Sequence, residues 1–495
     1  MKQRQTGPIQ PPPLSRVAFL ISLLLITATF LLPAVFNRLP ILFPDTVGYS
    51  SAGEAVLGVV LGHDRRASRE PGRSSAARAA RADKGISEAR SPYYGVALAL
   101  ADRSGGVWLA AAAQATFAAV ALLFAVRRLG LTGTAAIAAI ALAVVAGLAF
   151  YAGVLIPDVF LGPALLALAF LLTAPAMPRN ERAFWVAALV AGLLFHRGFL
   201  AVGLVVVAGA VIARRAAWFV PRGWALAAAA CLAAAVAHAA VAPVIDAVYG
   251  AKTTSQPFLL ARMIEGRVVP AYLDEVCPTR AFLLCRFRDR LPMDHDQFLW
   301  FDRPAGVFNV MSVSDRQRLN DEANTIVGGA VAARPVDAVI EAASYSLREL
   351  FFAGMNDFAQ RVPARWGFDA PLVPAMAAYG TSGIVAGDFP LAGLSRVTQT
   401  VYVAALAVLA AAAVAIARPA WFGCRRRAPL DQRLVAAVVI VFAGLVANAA
   451  VSGTLSGIRD RYTGRIAWLA SVAAAATLCH ALVVTGPSRG RGEDA

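Results

Sequence analysis

Residues 17–36 read VAFLISLLLITATFLLPAVF, a stretch without a single charged side chain. A helix of about twenty apolar residues crosses the hydrocarbon core of a bilayer, so this stretch predicts a transmembrane helix. The whole chain has the same character, because its 495 residues are 59% hydrophobic and only 15% charged. Soluble domains carry about 25% charged residues, which cover their surface. The composition therefore excludes a soluble protein and predicts an all-α polytopic membrane protein.

Further stretches of this kind bring the number of candidate transmembrane helices to about ten. His196 and Arg197 separate the fifth from the sixth, and one helix running through both would bury the arginine at a cost of several kcal/mol. The two stretches are therefore expected to be separate helices that meet at one membrane face. The candidates lie near residues 17–36, 107–126, 132–151, 155–174, 183–195, 198–213, 223–245, 398–417, 434–451 and 465–484.

The formal net charge of +16 is explained by membrane topology. With the N-terminus in the cytoplasm, the cytoplasmic segments carry 17 basic and four acidic residues, as the positive-inside rule requires. The sequence thus predicts a multi-pass protein of the inner (cytoplasmic) membrane with both termini in the cytoplasm. The membrane lipid bilayer is its first expected partner, and a nucleic-acid partner is not needed to explain the charge.

The polar segments divide the chain into five regions. One stretch of the first outer loop is rich in Arg, Ala and Ser, which is typical of a flexible insertion. Alternatively, the two sides of that insertion dip into the membrane as a re-entrant pair; Glu54 and four glycines in the first side favour the outer loop. In the re-entrant alternative the pair is 47–62 with 92–103. The five regions are a cytoplasmic tail (1–16), a transmembrane module (17–249) with its first outer loop (38–106) and insertion (62–91), an extracytoplasmic domain (250–397), C-terminal transmembrane helices (398–485) and a second cytoplasmic tail (486–495).

The extracytoplasmic domain is expected to be mainly helical. Ser314 to Gln317 has the pattern of a capping box, and Arg334-Pro335 opens a helix with an apolar stripe along one face. We expect that stripe to pack beneath the domain, with the membrane surface as the alternative. Cys277 and Cys285 lie eight residues apart on the side where oxidation is permitted, which predicts a disulfide; two unpaired buried thiols are the alternative.

Two aspartates stand where the chain leaves the bilayer on the outer face. Asp45 follows the first predicted span and Asp158 opens the fourth. A carboxylate at this position can take the proton of an acceptor hydroxyl or hold a divalent cation. Each aspartate could instead cap the helix that follows it. Motifs of soluble enzymes, namely a phosphate-binding glycine loop, HExxH and GxSxG, do not occur in the sequence.

Arginines gather before the last predicted span, on the face where basic residues are otherwise rare. Arg459 and Arg461, followed by Tyr462, lie where a lipid phosphate would be, and the guanidinium fork suits phosphate oxygens. The alternative is ion pairing with Asp460 or with the extracytoplasmic domain. His196 and Arg197 reach the same face and either bind substrate or have a structural role at a helix end.

At these residues the chain resembles the GT-C superfamily of polytopic glycosyltransferases. Pro44–Tyr49 (PDTVGY) is similar to an acidic motif of the family's first outer loop, and Arg90–Tyr94 (RSPYY) is loosely similar to a later element. Asp158 parallels a second acidic residue, and Arg461-Tyr462 an Arg-Tyr pair before the last span. The resemblance covers roughly residues 17–200 and 452–485. The chain departs from the pattern in its insertion and in having one acidic residue, not two, in the first motif.

The resemblance implies transfer of a sugar from a polyprenyl-phosphate donor to a glycan, lipid or protein acceptor on the outer face. Asp45 would be a base or metal ligand and Asp158 a second acid, with a divalent cation as a possible cofactor. Tyr49, His196, Arg197, Arg459, Arg461 and Tyr462 would bind substrate. The alternatives are a transporter or flippase of a lipid or polysaccharide precursor, and a non-enzymatic membrane assembly or signalling protein. A transporter predicts polar residues at mid-bilayer, where the sequence offers only scattered candidates.

Overall fold

The computed structural model describes residues 15–61, 86–87, 90–174, 176–212, 221–249, 253–301, 304–359, 388–422 and 432–485. Over these residues the chain is an all-α membrane protein, as the composition predicts. Seven of the described helices are long and apolar enough to cross a bilayer. The predicted tails and nearly all of the predicted insertion lie outside the described residues.

Three shorter helices correspond to the other predicted spans, so the number of helices that cross the membrane stays a prediction. Two of them, Pro157–Thr173 and Arg197–Ile212, are apolar apart from Asp158 and Arg197 near their starts. The third, Arg179–Phe195, begins with charged residues. The seven long helices are Arg16–Phe36, Pro92–Arg128, Gly133–Gly153, Arg222–Ile245, Leu391–Val414, Leu434–Leu455 and Asp460–Leu482.

The remaining helices lie in the block 253–359 and beside the spans. Phe258–Gly266, Val268–Val276 and His295–Trp300 are short, whereas Val313–Ala333 and Pro335–Leu350 are longer. The two described strands, Ile86–Ser87 and Thr253–Thr254, pair in parallel. Several spanning segments belong to longer or interrupted helices. The full bounds of these helices and of their neighbours are Pro44–Val60, Leu161–Thr173, Pro221–Tyr249, Leu391–Phe422, Gln432–Leu455, Asp460–Gly464 and Ala467–Thr485.

Glycines break two of the long helices. Pro92–Arg128 leaves helical geometry at Gly105 and Gly106, so the predicted span 107–126 is its second half. Gly133–Gly153 contains a π-helical turn in which Gly147 has φ +99°, and a Cβ there would lie 2.9 Å from the methyl group of Met355. The break therefore lets the segment that carries Met355 pack directly against the span.

Residues 44–60 belong to the predicted first outer loop, and the structure shows that this part of the loop is helical. They form the helix Pro44–Val60, which lies against the first part of Pro92–Arg128. The two backbones touch, because a Cβ on Gly53 would lie 2.0 Å from the carbonyl oxygen of Gly95. Small residues that permit close approach of two helices explain why a stretch poor in bulky apolar residues is helical. The pairing is the one proposed in the re-entrant alternative.

This contact gives a prediction for stability. Gly53→Ala places a methyl group against the backbone of Gly95, so the helices must separate, and such overpacking costs about 1–3 kcal/mol. Gly209→Ala is the matched control, because a Cβ at this helical glycine meets no atom within 4 Å. The free energy of unfolding, measured in mixed micelles with increasing sodium dodecyl sulfate, should fall for Gly53→Ala only. Equal values for the two variants would contradict the contact.

The block 253–359 has a core of its own. Leu273, Phe298 and Leu319 are buried in it, and a disulfide joins Cys277 to Cys285, the pair that the sequence predicts. Ser312, not Ser314, caps the helix Val313–Ala333 by accepting from the N–H of Asp315. The predicted capping box is therefore placed two residues too late.

The helix Pro335–Leu350 begins at the predicted proline but does not pack as predicted. Val336, Ile340 and Leu347, which belong to its apolar stripe, are 68%, 61% and 58% exposed. The expectation that this stripe packs beneath the extracytoplasmic domain is therefore wrong. The helix instead packs on the spanning helix Gln432–Leu455 through its other side.

Candidate functional site

The loops that carry the two predicted aspartates are joined by their backbones. The N–H of Ile41 donates to the carbonyl of Gly153, and the N–H of Leu155 donates to the carbonyl of Ile41. The hydroxyl of Thr46 also donates to the carbonyl of Leu155 at 2.9 Å. Asp45 and Asp158, which are far apart in the sequence, are thereby held at the same end of the bundle. We call this end, where residues 253–359 also lie, the loop side.

Asp45 binds two guanidinium groups. One oxygen accepts a hydrogen bond from Arg90, and the other lies 3.5 Å from Nη2 of Arg461. Neither contact is to a helix N–H, so the capping alternative does not describe this side chain. Burial raises the pKa of Asp45, but the charges of Arg90 and Arg461 outweigh it and hold the pKa below its usual value. Asp45 is therefore a carboxylate at neutral pH.

Arg461 is the more enclosed of the two arginines that contact Asp45, with 9% of its surface exposed. Its Nε lies 3.1 Å from a carboxylate oxygen of Asp357, and its guanidinium carbon lies 4.3 Å from the centre of the Phe43 ring. Nη1 is buried and has no hydrogen-bond partner among the residues that the structure describes. A buried N–H without an acceptor is costly, and an anionic ligand would supply one.

Arg459 is held by acidic residues of the block 253–359. It pairs with Asp296 and, at 3.2 Å, with Asp357. This is the ion pairing that the sequence left open as an alternative to phosphate binding. Asp460 pairs with no arginine among the described residues; its carboxylate accepts the backbone N–H groups of Asn356 and Asp357 instead. Asp460 thus fixes the turn that carries Asp357.

Asp158 is paired with a different arginine. Its carboxylate accepts from Nη1 of Arg465 at 2.8 Å, and it makes no capping bond to the helical turn that it opens. Arg465 also donates to Asn448 at 2.9 Å. All three residues are buried. The second oxygen of Asp158 is buried without a partner in the described part of the chain.

Tyr462 connects the two arginines. Its ring centre lies 4.9 Å from the guanidinium carbon of Arg461 and 5.0 Å from that of Arg465, so these carbons lie within about 10 Å of each other. Asp45 and Asp158 each bind one of these arginines. The two predicted aspartates therefore belong to one connected cluster, in which a different arginine neutralises each.

Three further residues that are predicted to bind substrate are Tyr49, His196 and Arg197. Tyr49 is buried edge-on against Tyr94 and lies below the guanidinium of Arg90. Nδ1 of His196 accepts the N–H of Gly198. Burial lowers the pKa of His196 well below its usual value, and nearby arginines lower it further, so the ring is neutral with its proton on Nε2. Arg197 is exposed at the start of its helix.

Glu349 contacts the segment that carries Arg459 and Arg461. It is fully buried, accepts the N–H of Arg459 at 2.9 Å and accepts the hydroxyl of Thr463 at 3.1 Å. Burial raises the pKa of Glu349 to about 8, although these hydrogen bonds oppose the rise. The carboxyl group therefore keeps its proton at neutral pH in the folded protein.

This gives a prediction for pH dependence. Between the pKa of Glu349 in the unfolded chain and its pKa of about 8 in the folded protein, the folded state binds more protons, so stability falls as pH rises through that window. Glu349→Gln cannot ionise and should lose this slope. Thermal unfolding in detergent should give equal midpoints for parent and variant near the lower end of the window and a higher midpoint for the variant above pH 8. Parallel pH profiles would contradict the buried, protonated carboxyl.

The residues around the two aspartates do not fit a divalent cation. The carboxylates of Asp45 and Asp158 bind guanidinium groups, whose positive charge opposes a second cation. Within the described ranges, the metal-ligating side chains that converge are Glu265, Asp294 and His295, and there too Glu265 already pairs with an arginine. We therefore assign no step of the chemistry below to a metal ion.

Several members of the cluster were not predicted from the sequence. Asp357, Asp296 and Glu349 come from the predicted extracytoplasmic domain, and Asn448 is a polar residue within a predicted span. Arg90 stands inside the RSPYY motif and Arg465 begins the last predicted span, and neither was given a role of its own. The available signal was charge balance, because each predicted arginine at a membrane border requires a carboxylate.

Comparison with protein-family models, with curated proteins and with solved structures finds no match for this chain.

Proposed function

We propose that the protein is a membrane glycosyltransferase that moves a sugar from a polyprenyl-phosphate donor to an acceptor hydroxyl on the extracytoplasmic face. The observation that carries the proposal is the contact of Asp45 with Arg461, whose buried Nη1 lacks an acceptor. A carboxylate next to an anion-binding guanidinium is what this reaction requires, because a proton leaves the acceptor while negative charge grows on the departing phosphate. The GT-C resemblance points to the same residues.

The location favours a lipid donor. Arg461 stands in the first turn of the spanning helix Asp460–Leu482, so its guanidinium lies where a spanning helix begins. Nucleotide sugars are charged and stay in the cytoplasm, so a transferase on the opposite face needs a donor that is soluble in the membrane. We propose that the loop side faces away from the cytoplasm, and the Cys277–Cys285 disulfide supports that orientation.

In the proposed reaction, the acceptor oxygen forms a bond to the anomeric carbon while the bond from that carbon to the phosphate oxygen breaks. Asp45 takes the acceptor proton, and the polyprenyl phosphate leaves with the bonding electrons. Arg461 stabilises the leaving phosphate. Donor phosphate also draws Arg461 and Arg90 away from Asp45, which raises the pKa of Asp45 towards the value that a general base needs.

The remaining predicted residues have supporting parts in this proposal. Asp158 orients Arg465, and Arg465 holds the Tyr462 ring against Arg461. His196 offers its Nε2–H as a neutral donor to the sugar. Arg459 keeps Asp357 in place beside Arg461. In this proposal Asp45 is the reacting carboxylate. Asp158 acts indirectly, because it holds Arg465 and through it the Tyr462 ring in position beside Arg461.

The transporter alternative has less support among the described residues. It predicts free polar groups in the spans, but Gln114 donates to the carbonyl of Val154 and Asn448 donates to the carbonyl of Tyr462. Nε2 of His238 is bonded to the carbonyl of Leu193, whereas its Nδ1 is buried without a partner among the described residues. These groups hold loops and helix ends in place.

The direct test uses the full-length protein in lipid nanodiscs with a panel of polyprenyl-phosphate sugars that carry radiolabelled hexoses or pentoses. The expected result is cleavage of the bond from the anomeric carbon to the phosphate oxygen for one donor, seen as water-soluble or acceptor-bound label together with free polyprenyl phosphate. In sealed vesicles, movement of an intact labelled donor between the leaflets without cleavage would support a flippase and refute the transferase.

A further inference from the structure

The helix Pro335–Leu350 presents a continuous apolar face that no described residue covers. Val336, Val339, Ile340, Leu347 and Phe351 are each more than half exposed. Their spacing of three, four and seven residues puts them on one side of the helix. At 1.5 Å per residue the face from the first to the last is about 22 Å long. Apolar surface of this extent is unfavourable in water.

The opposite side of the same helix is fixed on the spanning helices. A Cβ on Gly453 would lie 2.8 Å from the backbone oxygen of Tyr345, so this part of the helix touches Gln432–Leu455. The carbonyl of Leu350 accepts from the hydroxyl of Tyr402, on Leu391–Phe422. The apolar face therefore points away from the bundle and cannot turn towards it.

The exposed face is continuous with the apolar surface of the spans. On Gln432–Leu455, Phe442 and Val446 are exposed on the same side of the helix as Gly453, and on Leu391–Phe422, Val403 is exposed one turn after Gln399. Gln399 donates to the carbonyl of Phe351, so the end of the face lies about two turns into a spanning helix. Any lipid that surrounds these spans also reaches the face.

We infer that the apolar face of Pro335–Leu350 contacts the hydrocarbon of the membrane. The helix belongs to the polar block by sequence, but this places its exposed side in lipid. Glu349 stands on the other side of this helix, and the turn that carries Asp357 follows the C-terminal end of the helix. The charged cluster therefore lies close to the lipid boundary. The inference concerns lipid contact alone and holds whether or not the protein transfers a sugar.

The experiment uses a fluorescent NBD label on single cysteines. Cys231, Cys424 and Cys479 are replaced by alanine, whereas the Cys277–Cys285 disulfide is retained, and Ile340→Cys is labelled. The full chain is reconstituted into phosphatidylcholine vesicles containing doxyl-labelled phosphatidylcholine, or into plain vesicles to which iodide is added. Asn324→Cys is the control, because Asn324 is exposed on the neighbouring helix Val313–Ala333.

The label at Ile340 should be quenched several-fold more strongly by doxyl lipid than the label at Asn324, and it should be protected from iodide. Quenching by iodide at Ile340 would place the face in water and overturn the inference. Protection from both quenchers would mean that another part of this chain, a second copy or another protein covers the face, which also overturns the inference. Val336→Cys and Leu347→Cys repeat the test, and only variants that retain the mapped disulfide and a monodisperse elution profile are scored.

Discussion

Replacing Asp45 by asparagine should lower the rate of sugar transfer roughly 10²–10⁴-fold, the contribution of a positioned general base. Asparagine keeps the size of the side chain but cannot take a proton. It also removes the negative charge that Arg90 and Arg461 neutralise. Donor binding should therefore be retained or strengthened, because both guanidinium groups become available to phosphate. The measurements are the transfer rate at saturating donor and the affinity for a polyprenyl phosphate.

Glu54→Gln is the matched control for this variant. Glu54 lies on the same helix, Pro44–Val60, and also pairs with an arginine, Arg103, but it stands apart from the cluster. Its substitution removes one carboxylate from the same element and should leave transfer unchanged. If Asp45→Asn transfers sugar at the parent rate, Asp45 is not the base. If both variants lose activity equally, the effect belongs to the helix and not to the carboxylate.

The second large effect is expected for stability. Arg465→Met leaves the carboxylate of Asp158 buried without its partner, and breaking a buried ion pair in this way costs about 3–5 kcal/mol. Asp158→Leu should cost a similar amount, because it leaves the Arg465 charge buried. The double variant should be more stable than either single variant, since neither charge remains. Unfolding in mixed micelles measures all three.

The comparison pair is Arg318 with Glu322, one turn apart on the helix Val313–Ala333. Arg318 is about half exposed, and exposed pairs contribute about 0–1 kcal/mol. Arg318→Met should therefore change little. A double variant of Asp158 and Arg465 that is no better than the single variants would show that Asn448 and Ser452, which also contact Arg465, carry the energy.

The sequence predicted those parts of the molecule that depend on local pattern. Long apolar runs specify the spanning helices, and Pro335 marks a helix start because its missing N–H has no cost there. The grouping of Asp45 with Arg461 also followed from sidedness, because both stand at the same end of their spans. The pairing of the helix Pro44–Val60 with Pro92–Arg128 was only an alternative in the sequence analysis, since Gly53 and its neighbours resemble a loop until a partner helix is present.

The partners of the arginines could not be predicted. Asp357 reaches Arg461 only because Asp460 binds the backbone of its turn, and that contact joins residues about a hundred positions apart. Asp158 could have met Arg461 or Arg465, which lie one helical turn from each other, and the sequence does not distinguish them. The partner of the exposed stripe could not be predicted either, because an amphipathic pattern is identical whether its apolar side contacts protein or lipid.

The contact of the Tyr462 ring with two guanidinium groups has a thermodynamic consequence. Any anion that pulls Arg461 towards itself alters one of the two contacts of this ring, and the other is the contact that holds Arg465. Occupancy near Asp45 is then communicated to Asp158, and by reciprocity the charge state of Asp158 changes the affinity for that anion. The aspartates respond to a ligand as one coupled unit, although their carboxylates share no hydrogen bond.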